Sequence, residues 1–131
     1  MQSDSNKQGI ASDSTARAMR ALAGIGALAC GIAVAAGAYA MHAVLTPQNH
    51  ERLAIAALFL FAHGFALATL APGTTSRTRQ VGLYALLVGT ILFSGSLMLA
   101  ALLSITPSLA PFGGSLLMLG WLLIAAGFLI Q

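Results

Sequence analysis

The chain has very little charge, and its second half has none. From Gln80 to Gln131 there are 52 residues without an Asp, Glu, Lys or Arg. The whole chain of 131 residues is 7% charged, against about 25% in ordinary soluble domains, and its mean hydropathy is +0.88. A water-soluble domain of this length needs charged side chains on its exposed faces. The composition therefore excludes an ordinary soluble domain and indicates an integral membrane protein.

Cysteine and acidic residues are equally scarce. The single cysteine, Cys30, lies in an apolar run, so no internal disulfide is possible and a small buried side chain is indicated. Beyond Asp13 the only acidic residue is Glu51, and the chain has no paired carboxylates and no Gly-rich phosphate loop. These absences favour a non-enzymatic protein without a cofactor.

The six basic residues form no cluster on a soluble surface, so nucleic acid is not an expected partner. The expected partners are the lipid bilayer and either further copies of this chain or another membrane protein.

Long apolar segments predict four membrane-spanning helices, over about residues 21–45, 47–71, 81–103 and 112–130. Each has about 20 residues or more, which is enough for a helix to cross a hydrocarbon core about 30 Å thick. Thr46 and Pro47 suit the N-cap and first position of the second helix. The predicted fold class is all-α, an integral membrane four-helix bundle of two antiparallel hairpins forming one domain, 21–131. Residues 1–20 are polar and Ser-rich, which predicts a disordered tail.

Basic residues predict the orientation of the chain in the membrane. Three lie in the tail, Arg77 and Arg79 lie between helices 2 and 3, and the other two loops share only Arg52. The positive-inside rule therefore places the tail, the Arg77–Arg79 loop and the C-terminus in the cytoplasm, with the protein in the cell (inner or plasma) membrane. Signal cleavage near Ala38 or Ala40 is disfavoured, because the apolar run continues to Leu45.

Small residues spaced by seven predict how the helices pack. Close packing of backbones, and not burial of apolar side chains, drives helix association in lipid. A period of seven keeps one stripe facing a partner helix. We therefore predict that helices 3 and 4 pack through two such stripes, which are Gly82, Gly89 and Ser96 on helix 3 and Gly113, Gly120 and Gly127 on helix 4. Helix 1 has a weaker stripe of the same spacing, Gly24, Gly31 and Ala38.

A polar layer is predicted at the middle of the bundle. At 1.5 Å per residue, His63, Ser94 and Trp121 each lie roughly 13–15 Å from the outer ends of their helices, near the membrane midplane; Ser96 is close by. Such groups often hydrogen-bond one another and fix helix register, with Ser94 and Ser96 the nearest candidates for His63. An ionisable side chain at this depth also raises the alternative of a proton or solute path.

Two ligand-binding readings of the histidines are disfavoured. His42 and His63 differ in depth by roughly 18–20 Å, so one haem iron cannot be held by both. His42, His50 and Glu51 lie about equally far from the first turn and could meet at the outer mouth, but exposed side chains near a helix start are usually solvated. No metal is expected.

Several motifs resemble a known family. Residues 89–97 (GTILFSGSL), 110–115 (APFGGS) and 119–121 (LGW) resemble the YgdD-type family of small four-helix membrane proteins, which includes mitochondrial relatives of the transmembrane protein 256 type. Residues 37–42 (GAYAMH) resemble that family's Gly-Ala-Phe-Gly-Ala-His stretch. The matched positions include Gly37, His42, Gly95 and Gly114. The likeness covers about residues 24–130; it implies a four-helix integral membrane protein that keeps its first helix, and it implies no activity.

Two functions from different classes follow. The first is a small multi-pass membrane protein that acts as an accessory or assembly component through lipid or protein contacts. The alternative is a small permease or proton-coupled carrier built around His63. A water-accessible cavity that reaches His63 would favour the alternative, whereas a packed surrounding would favour the first.

Overall fold

A computed structural model describes the backbone of residues 2–130 and the side chains of residues 9–130. That part of the chain forms four helices and no strand: α1 (Gln2–His42), α2 (Pro47–Leu70), α3 (Arg77–Leu103) and α4 (Ala110–Leu129). All four are long and apolar enough to cross a bilayer. The predicted all-α, four-helix membrane fold is confirmed.

The first helix is much longer than the sequence predicts. Helix α1 has 41 residues, which is about 60 Å of helix against a hydrocarbon core of about 30 Å. The prediction of a disordered tail is therefore wrong for residues 2–20, which are helical. Where residues 2–20 join the apolar part of α1, the side chains of Met19 and Leu22 are only 2% exposed, because they pack into a core that all four helices share.

Residues 2–20 form an extension of α1 beyond the predicted span, called here the α1 extension. Its described hydroxyl side chains are compatible with a helix because of where they donate. Ser12 donates to the Gly9 carbonyl oxygen, while Ser14 and Thr15 donate to that of Ala11. Each of these bonds goes to a carbonyl oxygen three or four residues earlier in the same helix, so the hydroxyl groups are satisfied while the backbone stays helical. Asp13 and Arg17 form an exposed ion pair one turn apart, at 3.2 Å.

The helix starts follow from local chemistry. Thr46 caps α2, since its hydroxyl oxygen accepts from the Asn49 amide at 3.2 Å and Pro47 occupies the first turn. Helix α3 begins at Arg77, four residues before the predicted start, and α4 begins at Ala110 with Pro111 in its first turn. Polar residues and proline are tolerated there because the first amides of a helix have no intrahelical partner.

The helices pack as two hairpins side by side. Helix α1 lies along α2, α3 lies along α4, and the hairpins meet through α2 and α3. The connecting loops have only four to six residues, so consecutive helices run antiparallel, as predicted. Large apolar side chains such as Leu28, Phe112 and Leu122 cover the outside, as is typical of a surface that faces lipid.

Candidate functional site

The structure brings two members of the predicted polar layer together. His63 on α2 is 7% exposed, and its Nε2 accepts a hydrogen bond from the indole Nε1–H of Trp121 on α4, at 3.3 Å. Its Nδ1 lies 2.8 Å from the Phe59 carbonyl oxygen. A carbonyl can only accept, so Nδ1 carries the proton and Nε2 does not. Both ring nitrogens are thus satisfied by the protein, with the imidazole neutral.

Two aromatic rings contact the imidazole. The Phe59 ring stacks on His63, with centroids 5.6 Å apart and an angle of 21° between the planes. The centroid of the same Phe59 ring lies 4.6 Å from the ring centroid of Phe93 on α3. Trp121 is tilted against His63 at 6.2 Å between centroids. This midplane network, consisting of His63, Phe59, Phe93 and Trp121, therefore joins α2, α3 and α4.

The two serines of the predicted layer are not part of this network. Ser94 is completely buried, and its hydroxyl has no hydrogen-bond partner within the described part of the chain. Ser96 is half-buried, and no hydrogen bond joins either serine to His63. The expectation that Ser94 or Ser96 would satisfy His63 is wrong; the indole of Trp121 does so, because its long side chain reaches across from α4.

The glycines of the predicted α3–α4 stripes lie where the two backbones approach most closely. A Cβ atom on Gly82 would lie 2.8 Å from the Gly120 carbonyl oxygen, and one on Gly120 would lie 3.0 Å from that of Gly82. A Cβ atom on Gly89 would lie 2.9 Å from the Leu117 amide nitrogen. At Gly113 it would collide with the Phe93 backbone. Only hydrogen fits at these positions, as close helix packing in lipid requires.

The last glycine of the stripe, Gly127, packs differently. A Cβ atom there would collide with the alkyl part of the Arg79 side chain. The guanidinium carbon of Arg79 lies 4.8 Å from the Phe128 ring centroid. The absence of a side chain at Gly127 therefore leaves room for this arginine to lie across α4.

The contact between α1 and α2 uses different glycines from those in the sequence stripe. A Cβ atom on Gly26 would lie 2.7 Å from the Ala68 amide nitrogen, and one on Gly64 would lie 2.7 Å from the Gly26 carbonyl oxygen. Gly24 and Gly31, by contrast, have open space around them. Helix α1 is so rich in alanine and glycine that spacing alone does not reveal which face meets α2, and the weaker stripe of Gly24 and Gly31 does not mark that face.

The family-motif positions are spread over the fold. A Cβ atom built on Gly37 would lie 4.0 Å from the Ala57 Cβ of α2, and one built on Gly114 would lie 3.7 Å from the Phe93 ring. Gly95 has no atom within 4 Å of a Cβ built on it, and His42 is exposed at the end of α1. The motif residues therefore do not form one site.

The histidines near the first turn are exposed and are not brought together with other candidate ligands in the described part of the chain. His42, His50 and Glu51 are all exposed, and within residues 9–130 no three His, Cys, Asp or Glu side chains are grouped so that they could hold a metal ion. At this end the ordered polar contact is instead Asn49, whose Nδ2 donates to the Ser104 hydroxyl at 3.4 Å and whose Oδ1 accepts from Arg52.

A cleft of about 570 Å³ lies at the opposite end of the bundle. One face of the α1 extension forms one wall, and the α2–α3 loop with the start of α3 forms the other. Its polar lining residues include Thr15, Arg20, Thr74, Arg77 and Gln80. Sequence reasoning missed this cleft because it treated residues 1–20 as disordered, which removes one wall.

Known proteins resemble this chain in sequence. The family described as a protein of unknown function, DUF423, matches residues 33–114. A UPF0382 membrane protein of Staphylococcus saprophyticus is 33% identical over 111 residues, covering 79% of this chain and 92% of the relative. A UPF0382 membrane protein of Staphylococcus epidermidis is 33% identical over 107 residues, covering 76% of this chain and 88% of the relative. No solved structure matches the chain.

Proposed function

Because the chain belongs to the DUF423 family of small membrane proteins, whose description names no activity, we propose a function from its geometry: it is a non-enzymatic accessory or assembly component of the membrane. It acts through contacts of its apolar helix faces with lipid and with other membrane helices. The alternative, a carrier with a path through His63, is a different class of function and makes opposite predictions.

The observation that supports this proposal is the state of His63. A group that relays protons must gain and lose a proton and must meet water or another relay group. Both ring nitrogens of His63 are instead engaged by Phe59 and Trp121, and the side chain is 7% exposed. The imidazole then serves as a structural hydrogen-bonding group between α2 and α4.

Chemical modification tests whether water reaches His63. Diethyl pyrocarbonate acylates accessible neutral imidazoles, and peptide mass spectrometry locates the product. In the folded protein in detergent we expect modification of the exposed His42 and His50 and protection of His63. The two exposed histidines serve as controls within the same molecule. Modification of His63 as fast as His42 would contradict the proposal.

A flux measurement tests the alternative directly. The protein is reconstituted into liposomes that contain a pH-sensitive dye, and a pH gradient is imposed. We expect the gradient to decay equally fast with the wild-type protein and with His63→Gln, because no proton passes through this site. A faster decay that depends on His63 would establish the carrier and refute the accessory function.

Purification in mild detergent tests the positive half of the proposal. We expect the chain to elute as a defined complex, either with further copies of itself or with another membrane protein in fixed proportion. A strictly monomeric protein that elutes alone, at membrane-like protein concentrations, would contradict an assembly function.

A further inference from the structure

Two arginines from different helices line the cleft at the end of the bundle, one on each wall. Arg20 lines it from α1, and Arg77 lines it from the start of α3. Within residues 9–130 neither arginine has a carboxylate partner, because the one ion pair there joins Arg17 to Asp13. A site that holds two arginines without an acid between them favours an anion.

The wall opposite the α1 extension is held in place by hydrogen bonds. Gln80 Nε2 donates to the carbonyl oxygens of Thr74 and Thr75, both at 3.2 Å. The Thr74 hydroxyl donates to the Leu70 carbonyl oxygen at 2.6 Å, and its amide donates to that of Ala71. This wall is therefore ordered before any ligand binds, which lowers the entropy cost of binding to it.

The donors available to a ligand are mainly the arginines. The Thr15 and Thr74 hydroxyl protons are already used within the chain, whereas Arg20 and Arg77 are exposed. Arg77 also begins α3, so the positive end of that helix dipole faces the same region and adds to the attraction for an anion. The volume of about 570 Å³ is within the usual range of small-molecule sites, roughly 300–1,000 Å³.

The depth of the cleft indicates which anion it meets. Arg20 directly precedes the uncharged run that begins at Ala21, and Arg79 directly precedes the uncharged run that begins at Gln80. Arg20 and Arg77 therefore lie at the boundary between apolar helix and polar surface, the level of lipid headgroups. Met19 and Pro72 also line the cleft and offer apolar surface for the part of a lipid next to its phosphate.

We propose that this cleft binds the phosphate of an anionic phospholipid headgroup between Arg20 and Arg77. The site is separate from the midplane network and does not depend on the function assigned to it. Phosphate is recognised by planar guanidinium groups through paired, charge-assisted hydrogen bonds. The same chemistry would accept a free phosphate, so the experiment includes both sources.

The test is a titration of the full chain in detergent with phosphatidylglycerol, followed by native mass spectrometry of the lipid-bound protein. Phosphatidylcholine and inorganic phosphate are titrated in parallel. We expect phosphatidylglycerol to bind more tightly than phosphatidylcholine, and inorganic phosphate to displace it only weakly. Each of Arg20→Gln and Arg77→Gln should weaken phosphatidylglycerol binding by about tenfold or more, as expected for losing a hydrogen bond to a charged group.

Arg17→Gln is the matched control, since it removes the same charge from the same helix but outside the cleft. It should weaken binding by less than about fivefold, through the surface potential alone. Arg20→Lys and Arg77→Lys keep the charge and should retain more binding than the Gln variants. Equal weakening by all three Gln variants, or equal binding of the two lipids, would overturn the proposal. Displacement by inorganic phosphate at equal concentration would overturn the assignment to lipid.

Discussion

At the scale of single residues, His63 shows how a polar side chain can be accommodated at membrane depth. A buried polar group is costly unless it is hydrogen-bonded. His63 reduces that cost by staying neutral and engaging both nitrogens, one within its own helix turn and one through Trp121. The bond to Trp121 joins two helices that are not neighbours on the chain, so it links the two hairpins.

A double-mutant cycle measures this bond. His63→Leu removes the acceptor, Trp121→Phe removes the donor, and the double variant removes both. We expect a coupling free energy of about 0.6 kcal/mol, and at most about 1.7 kcal/mol, the average and the maximum for hydrogen bonds between membrane helices, in unfolding measured in detergent. His63→Gln should be milder than His63→Leu, because its amide oxygen can still accept from the indole.

The exposed His42 supplies the control for that cycle. His42→Leu should change the free energy of unfolding little, and it should not couple to Trp121→Phe. A coupling near zero between His63→Leu and Trp121→Phe would show that the bond does not form in the folded protein.

At the scale of helices, glycine contacts decide which faces meet. Four backbone positions on α3 and α4, and one on each of α1 and α2, approach the opposite helix so closely that only hydrogen fits. Close approach increases the dispersion contacts that hold helices together in lipid, where there is no hydrophobic driving force between them. Each of these glycines is a sharp test of its interface.

In the α1–α2 hairpin, Gly26→Leu and Gly24→Leu form a matched pair only two residues apart. The Gly26 variant should be destabilised by about 3 kcal/mol or more, because its side chain would enter the backbone of α2 near Gly64 and Ala68. The Gly24 variant should fold normally, since nothing lies within 4 Å of its Cβ position. Thermal unfolding in detergent makes the comparison. A more severe effect at Gly24 would show that α1 is rotated about its axis.

In the α3–α4 hairpin, Gly120→Leu and Gly95→Leu form the corresponding pair. A Cβ atom on Gly120 would lie 2.9 Å from Leu86 Cδ2 and 3.0 Å from its amide nitrogen, so bulk there forces the helices apart. We expect low expression or early unfolding of Gly120→Leu, and a stability close to wild type for Gly95→Leu. Wild-type stability of Gly120→Leu would show that this stripe is not an interface.

At the scale of the whole molecule, four antiparallel spans place the two ends of the chain on the same side of the membrane. The α2–α3 loop, the α1 extension and the cleft then share that side, which the arginines predict to be the cytoplasm. The α1–α2 and α3–α4 loops face the opposite side.

Cysteine labelling of intact cells tests this orientation. In a Cys30→Ser background, Val44→Cys and Thr75→Cys place one thiol in the α1–α2 loop and one in the α2–α3 loop, both at exposed positions. A membrane-impermeant maleimide should label the first and leave the second unlabelled until the cells are opened. Labelling of Thr75→Cys alone would reverse the orientation, and labelling of both would contradict the four-span topology.

The sequence by itself determined the class, the number of helices and the hairpin order. These depend on long uncharged segments separated by short polar or proline-containing turns, and the low dielectric of the bilayer leaves helices as the only solution for such segments. It also indicated the α3–α4 glycines, because helix 4 carries few other small residues spaced by seven.

Only the tertiary structure decided the partner of His63, the glycines between α1 and α2, and the cleft. Trp121 meets His63 because of the relative rotation of α2 and α4, which depends on packing through α3 and not on local pattern. Gly26 is distinguished from Gly24 only by the face that α1 turns towards α2. Met19 and Leu22 are buried against the other helices, a long-range contact that the polar composition of residues 1–20 conceals.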